Sequence, residues 1–196
     1  MRLDCLTKKK GWTPRIPLLG GNNNNAWLSG FTDADGNFNL SITKRKAGSL
    51  RVQLNYRLEL TQNYMKKANA SLGQSTSFHG ICSAIAAFFD ASLYDRTRQV
   101  ALKKNKTLLK EYSFFIVMTC NLKSNGLVCN YFDQYPLFSS KRLNYIDWRH
   151  VHQLMVTKNH LTSEGRADYL RIKSNFNQNR TTFTWDHLYS FYAEKK

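Results

Sequence analysis

Two aspartates stand two residues apart in Thr32-Asp33-Ala34-Asp35-Gly36-Asn37, at the end of a stretch that begins at Ala26. Residues 26–35 read as a short helix, so both carboxylates fall near its C-terminus. Negative charge is disfavoured there by about 0.3–1 kcal/mol, because the unpaired carbonyls of the last turn already make that end negative. Stability therefore gives no reason for the pair. A divalent cation does: Mg2+ is a hard ion that takes carboxylate and phosphate oxygens together. A helix-ending Asx turn with Gly36 in a left-handed position accounts for the same residues without a ligand. An EF-hand loop is excluded, since Asn37-Phe38 breaks its glycine position and Lys44 stands where its bidentate glutamate belongs.

Elements of two kinds must position this pair. In 38–45, Phe38, Leu40 and Ile42 alternate with Asn39, Ser41, Thr43 and Arg45. In 51–60, Val52, Leu54, Tyr56, Leu58 and Leu60 alternate with Arg51, Gln53, Asn55, Arg57 and Glu59. This period of two predicts a hairpin with one apolar face and one polar, basic face, turning at 46–49. Residues 78–90 predict a second helix. Residues 92–102 and 111–120 predict a second hairpin, with Lys103, Lys104, Lys106 and Lys110 around its turn and Tyr112, Phe114 and Phe115 as strand core. Helices are expected over Leu122–Tyr135, closed by Pro136, and over Tyr145–Val156 and Ser163–Gln178. The last begins with an incomplete capping box at Ser163 and Arg166. Residues 1–25 form a basic, Asn-rich leader in which Asn25 is placed to cap the first helix. The fold class is α+β, in the order αββαββα, with an antiparallel sheet and C-terminal helices over 26–196.

The chain has 29 Lys and Arg against 13 Asp and Glu, a formal charge of +16. Self-repulsion opposes compaction, so the excess points to a polyanionic partner, nucleic acid first. A membrane is not expected as partner, since no segment approaches the ~20 apolar residues of a span. Cys5, Cys82, Cys120 and Cys129 form no CxxC pair and read as reduced thiols. The five histidines have no carboxylate or thiol neighbours at ligand spacing in the sequence. Trp148, Trp185 and Phe183 are expected in core or tail packing.

Leu28 to Gly36 resembles the nine-residue signature of the LAGLIDADG homing endonucleases, matching at Leu28, Gly30, Asp33, Ala34, Asp35 and Gly36. The likeness continues through Arg96-Thr-Arg98, Lys123-Ser-Asn, Tyr131-Phe-Asp-Gln-Tyr-Pro-Leu, Ser139-Ser-Lys-Arg, Asp147-Trp148, His160-Leu-Thr-Ser-Glu-Gly and Arg180–His187. The chain thus resembles the C-terminal half of two-motif members of this family encoded in organelle introns. The resemblance implies Asp35 as the catalytic, Mg2+-binding carboxylate and Lys141 as a basic residue of the active site. It implies nucleic-acid contacts from Asn39, Ser41, Thr43, Arg45, Arg51, Gln53, Asn55 and Arg57 on the first ribbon, and Arg96 and Arg98 on the second. A twisted ribbon fits the DNA major groove. Either Gln53 or Arg57 is available for a polar role at the active site.

An active enzyme of this family needs two signature helices, and the motif occurs once in this sequence. Leu28, Ser29, Gly30 and Asp33 are the expected pairing interface. The second LAGLIDADG unit is a homodimer mate or a separately encoded N-terminal half. Two functions remain open: a Mg2+-dependent DNA endonuclease at an intron-insertion site, or a non-cleaving binder of intron RNA or rRNA, as a maturase or ribonucleoprotein subunit. The resemblance implies a mitochondrial, organelle-encoded protein.

Overall fold

The computed structural model describes residues 26–46, 48–64, 76–102 and 105–189. The leader over 1–25, the cap at Asn25, and Lys103 and Lys104 lie outside the described residues. The chain runs α1 (Trp27–Asp35), β1 (Gly36–Lys44), β2 (Leu50–Thr61), β3 (Asn63–Tyr64), β4 (Thr76–Ser77), α2 (His79–Phe88), β5 (Ser92–Leu102), β6 (Asn105–Met118), α3 (Leu122–Gln134), α4 (Lys141–Val156) and α5 (Ser163–Ser174). The four long strands form one antiparallel sheet in the order β1-β2-β6-β5. The short β3 and β4 pair separately. This is the expected α+β order with one small ribbon added.

Alternation in β1 and β2 dictates what the sheet buries. Phe38, Leu40, Leu54, Tyr56 and Leu58 face inward and are covered by the helices. Phe38 is the hub of an aromatic core, with ring centroids 5.3–5.6 Å from Tyr56, Phe132, Tyr145 and Trp148. Full burial of each such side chain stabilises the fold by roughly 1.5–3 kcal/mol. Trp148 is in the core as expected, but Phe183 and Trp185 are exposed.

The helix-to-strand junction is tight. α1 ends at Asp35 and β1 begins at the next residue. Gly36 is not left-handed: its φ of −76° and ψ of 157° are those of a strand. Glycine is required there for room, since a Cβ would lie 2.5 Å from Thr32 Cγ2 and 3.0 Å from both the Cα and the carbonyl oxygen of Thr32. We expect Gly36→Ala to destabilise the chain by about 1–3 kcal/mol, the usual range for forced overpacking, as measured by urea unfolding.

Three element ends differ from expectation. β6 starts at Asn105, so Lys106 and Lys110 are strand residues and do not belong to a turn. α4 starts at Lys141, four residues before Tyr145, because Ser139 and Ser140 carry the chain into the helix through Arg142 N to Ser139 O and Leu143 N to Ser140 O bonds. α5 is capped by Thr162, whose Oγ1 accepts from Gly165 N at 3.1 Å, and it ends at Ser174.

The end of α5 and the segment after it are tied to β1, an edge strand of the sheet. Lys173 Nζ donates to Leu40 O at 2.6 Å, and Asn177 Nδ2 to Phe38 O at 2.8 Å. Arg180, with a side chain 8% exposed, pairs with Asp147 and donates from Nε to Asn144 Oδ1 at 2.9 Å. Lys173 and Asn177 satisfy edge carbonyls of β1 that would otherwise attract another strand, while Arg180 fixes the following segment to α4.

Candidate active site and nucleic-acid face

α1 and α4 hold each other through opposite charges at their ends. Asp33 accepts from Phe138 N at 2.8 Å, from Ser139 N at 3.3 Å and from Ser139 Oγ at 2.6 Å, just before α4. In return Lys141, the first residue of α4, donates from Nζ to Thr32 O at 2.7 Å and Asp33 O at 3.0 Å. Those are carbonyls of the last turn of α1: Thr32 O also accepts from Gly36 N at the helix cap, and the ammonium completes the capping of this end. An anion at one helix start and a cation at the other helix end each stabilise by about 0.3–1 kcal/mol. Desolvation pushes the Lys141 ammonium below the usual lysine range, against the opposing pull of Asp33 and Asp35.

Asp35 is placed quite differently. It is exposed at the tip of α1, and its carboxylate makes no hydrogen bond or ion pair with the described residues. No three His, Cys, Asp or Glu gather anywhere among the described residues. The described residues therefore offer no closed metal cage, but Asp35 is an open carboxylate. That fits Mg2+, which keeps several waters and binds one or two carboxylates together with phosphate.

The expected pairing residues divide. Leu28 and Ser29 are fully buried inside this chain, Leu28 in the core and Ser29 donating from Oγ to Tyr135 O at 2.5 Å. Asp33 is engaged with the start of α4. Within this chain Leu28, Ser29 and Asp33 therefore serve internal contacts. Gly30 is exposed, and it lies on an outward stripe with Ala26 and Ala34, beside the stacked rings of Trp27 and Phe31. Helical spacing alone could not tell the two faces apart, because both are built of small and apolar residues.

The polar side of the sheet collects the other expected residues. Asn39, Ser41, Thr43, Arg51, Gln53, Asn55 and Arg57 share the side opposite the core, by the register Asn39↔Asn55, Ser41↔Gln53 and Thr43↔Arg51. Arg45 follows β1 in the turn. Arg96 and Arg98 come to the same side through Arg96↔Phe114 and Arg98↔Tyr112. Phe114 and Tyr112 therefore belong to this outer face and not to the core; Phe115 is the buried one. Arg57 pairs with Asn37, which puts it at the end of the sheet that carries Asp35. Asn55 is partly committed elsewhere, since its Nδ2 donates to Thr119 O at 2.8 Å.

Other candidates serve structure. Ser124 and Asn125 of the Lys123-Ser-Asn block are buried. Asn125 accepts from Thr119 Oγ1 at 2.6 Å and donates to Leu54 O at 3.0 Å, fastening α3 to β2. Burial pushes the Cys82 thiol up to about 11 and Cys129 up to about 12, so neither is a thiolate near neutral pH. Folding gives two histidines neighbours absent at sequence spacing: His150 pairs with Asp168, and His152 Nδ1 lies 3.8 Å from Cys129 Sγ.

Among the described residues no helix is long and apolar enough to cross a membrane. A family model described as LAGLIDADG endonuclease matches residues 28–152. The chain is 38% identical over 175 residues to the intron-encoded DNA endonuclease aI3 of Saccharomyces cerevisiae, covering 88% of this chain and 42% of that one. Its fold is similar to that of the I-LtrWI LAGLIDADG homing endonuclease bound to target DNA, with a TM-score of 0.54, 24% identity, and coverage of 81% of this chain and 46% of that one. It is also similar to the homing endonuclease I-TnaI, with a TM-score of 0.53 and 18% identity, covering 88% of this chain and 99% of that one. The chain thus spans less than half of aI3 and I-LtrWI and nearly all of I-TnaI. The matched stretch takes in the signature helix, the whole sheet and most of α4, and by that extent the chain belongs to the LAGLIDADG endonuclease family.

Proposed function

We propose that this chain is one half of a metal-dependent DNA-cutting unit, completed by a second signature helix from another copy or another half. The observation that carries this reading is Asp35: an exposed carboxylate with no structural partner among the described residues, at a helix end that disfavours it. It stands at the edge of a sheet whose outer face is polar and basic. Mg2+ bound there would supply charge neutralisation at a phosphate and a water of lowered pKa. The chain's own residues do the rest. Asp35 holds the ion side of the site, and Lys141 keeps a fixed positive charge behind it. The outer face, from Asn39 to Arg57 and on to Arg96 and Arg98, follows the duplex in the major groove. The family likeness to proteins of organelle introns supports an organellar, mitochondrial gene product acting at an intron-insertion site.

The test is to incubate the purified chain with duplex DNA spanning its intron-insertion junction. Strand cutting is expected with Mg2+ and none with a chelator. Tight binding of intron RNA or rRNA, with no metal-dependent cutting of any duplex, would overturn the reading in favour of a maturase or ribonucleoprotein subunit.

A further inference from the structure

The outer face of the sheet carries five basic residues among those described: Arg51, Arg57, Arg96, Arg98 and Lys110. Glu59 stands among them on the same face. A carboxylate on a surface that meets phosphate lowers affinity by repulsion. Glu59 is nevertheless placed in the midst of the basic groups. It pairs with Arg57, two residues back on β2, and lies 3.7 Å from Arg98, which reaches across from β5. The guanidinium carbon of Arg98 lies 5.7 Å from the centre of the Phe114 ring. The acid is the deepest of the three, with side-chain exposures of 21% for Glu59, 33% for Arg57 and 47% for Arg98.

Unrestrained arginines contact phosphates, and those contacts carry no sequence information. Reading guanine needs a planar guanidinium aimed at O6 and N7. A guanidinium already bonded on one side, or resting on a ring, has lost much of its rotamer freedom before DNA arrives. Affinity alone would be better served by a neutral residue at position 59.

We propose that Glu59 is a positioning residue that sets sequence preference: it holds Arg57 and Arg98 as a preassembled pair of forks for guanine edges in the major groove. It does so at some cost in phosphate affinity. This rests on the outer face being a DNA surface.

The test compares the full chain with Glu59→Gln, which keeps the shape and removes the charge, and with Arg98→Lys, which keeps the charge and removes the fork. Each selects duplexes from a randomised pool, and each is titrated against salt on unrelated DNA. Thermal unfolding checks that both variants fold. With Glu59→Gln, preference at the guanine positions is expected to fall about tenfold or more. Binding to unrelated DNA should tighten, with a salt slope steeper by about 0.9 for each further phosphate neutralised. Arg98→Lys should lose preference without that tightening. If the wild type is selective and both variants keep its guanine preference, this inference is overturned and the DNA reading stands. If the wild type binds no duplex, both are overturned.

Discussion

Asp35→Asn is expected to abolish cutting while leaving the chain folded and bound to DNA. The two halves of that expectation come from different physics. Asp35 is exposed, accepts nothing from the described residues, and sits at a helix end where its charge is unfavourable. Neutralising it should leave the unfolding midpoint unchanged or slightly raised. Affinity for duplex should hold or increase, because one charge repelling phosphate is gone. Cutting should fall by more than about 10³-fold, since loss of even one donor to a developing charge costs about 10²–10³ in kcat. Asp33→Asn is the contrasting control. Asp33 accepts three hydrogen bonds at the start of α4, so its change should lower stability first. Wild-type cutting by Asp35→Asn, measured as supercoiled plasmid converted to linear, would remove Asp35 from the site.

Which parts of this were visible in the sequence follows from how far each determinant reaches along the chain. Phe38, Leu40 and Ile42 against Asn39, Ser41 and Thr43 announce strand, face and polarity within a few residues, and the structure keeps them so. α4 could not be bounded that way, because Asp33, which meets the chain just before it, lies more than a hundred residues earlier. The orientation of α1 was hidden for another reason. Leu28 and Ser29 are inside because Tyr135 and the core receive them, and nothing local distinguishes them from Gly30 and Ala34. The first half of β6 is exposed where its side chains are described, so no alternation marks it, and Phe114 and Tyr112 look like core until register puts them beside Arg96 and Arg98. Lys141 was legible as a basic residue near the site. Its hydrogen bonds to the end of α1 were not, since they depend on two helices meeting.

Gly30→Leu separates folding from pairing. Gly30 is exposed on the outward stripe of α1, and a Cβ built there meets nothing within 4 Å. Within this chain the substitution has no clash to create, and replacing glycine by leucine in a helix interior is worth up to about 1 kcal/mol. Urea unfolding of the variant under dilute conditions should therefore show equal or greater stability. Between two signature helices the effect reverses. Packed helices sit about 8–10 Å apart depending on the residues at the contact, and a glycine with flanking alanines allows the close end of that range. A leucine at the centre forces the helices apart and takes the two Asp35-type carboxylates away from facing phosphates. Paired species in sedimentation and double-strand cutting should both be lost, while binding to a half-length duplex remains. Ser29→Leu would also weaken cutting, but by destabilising the chain itself, because Ser29 is buried against Tyr135 O. Its cost of about 1–3 kcal/mol would appear in the urea midpoint. If Gly30→Leu pairs and cuts as the wild type does, the two halves meet somewhere other than on this stripe.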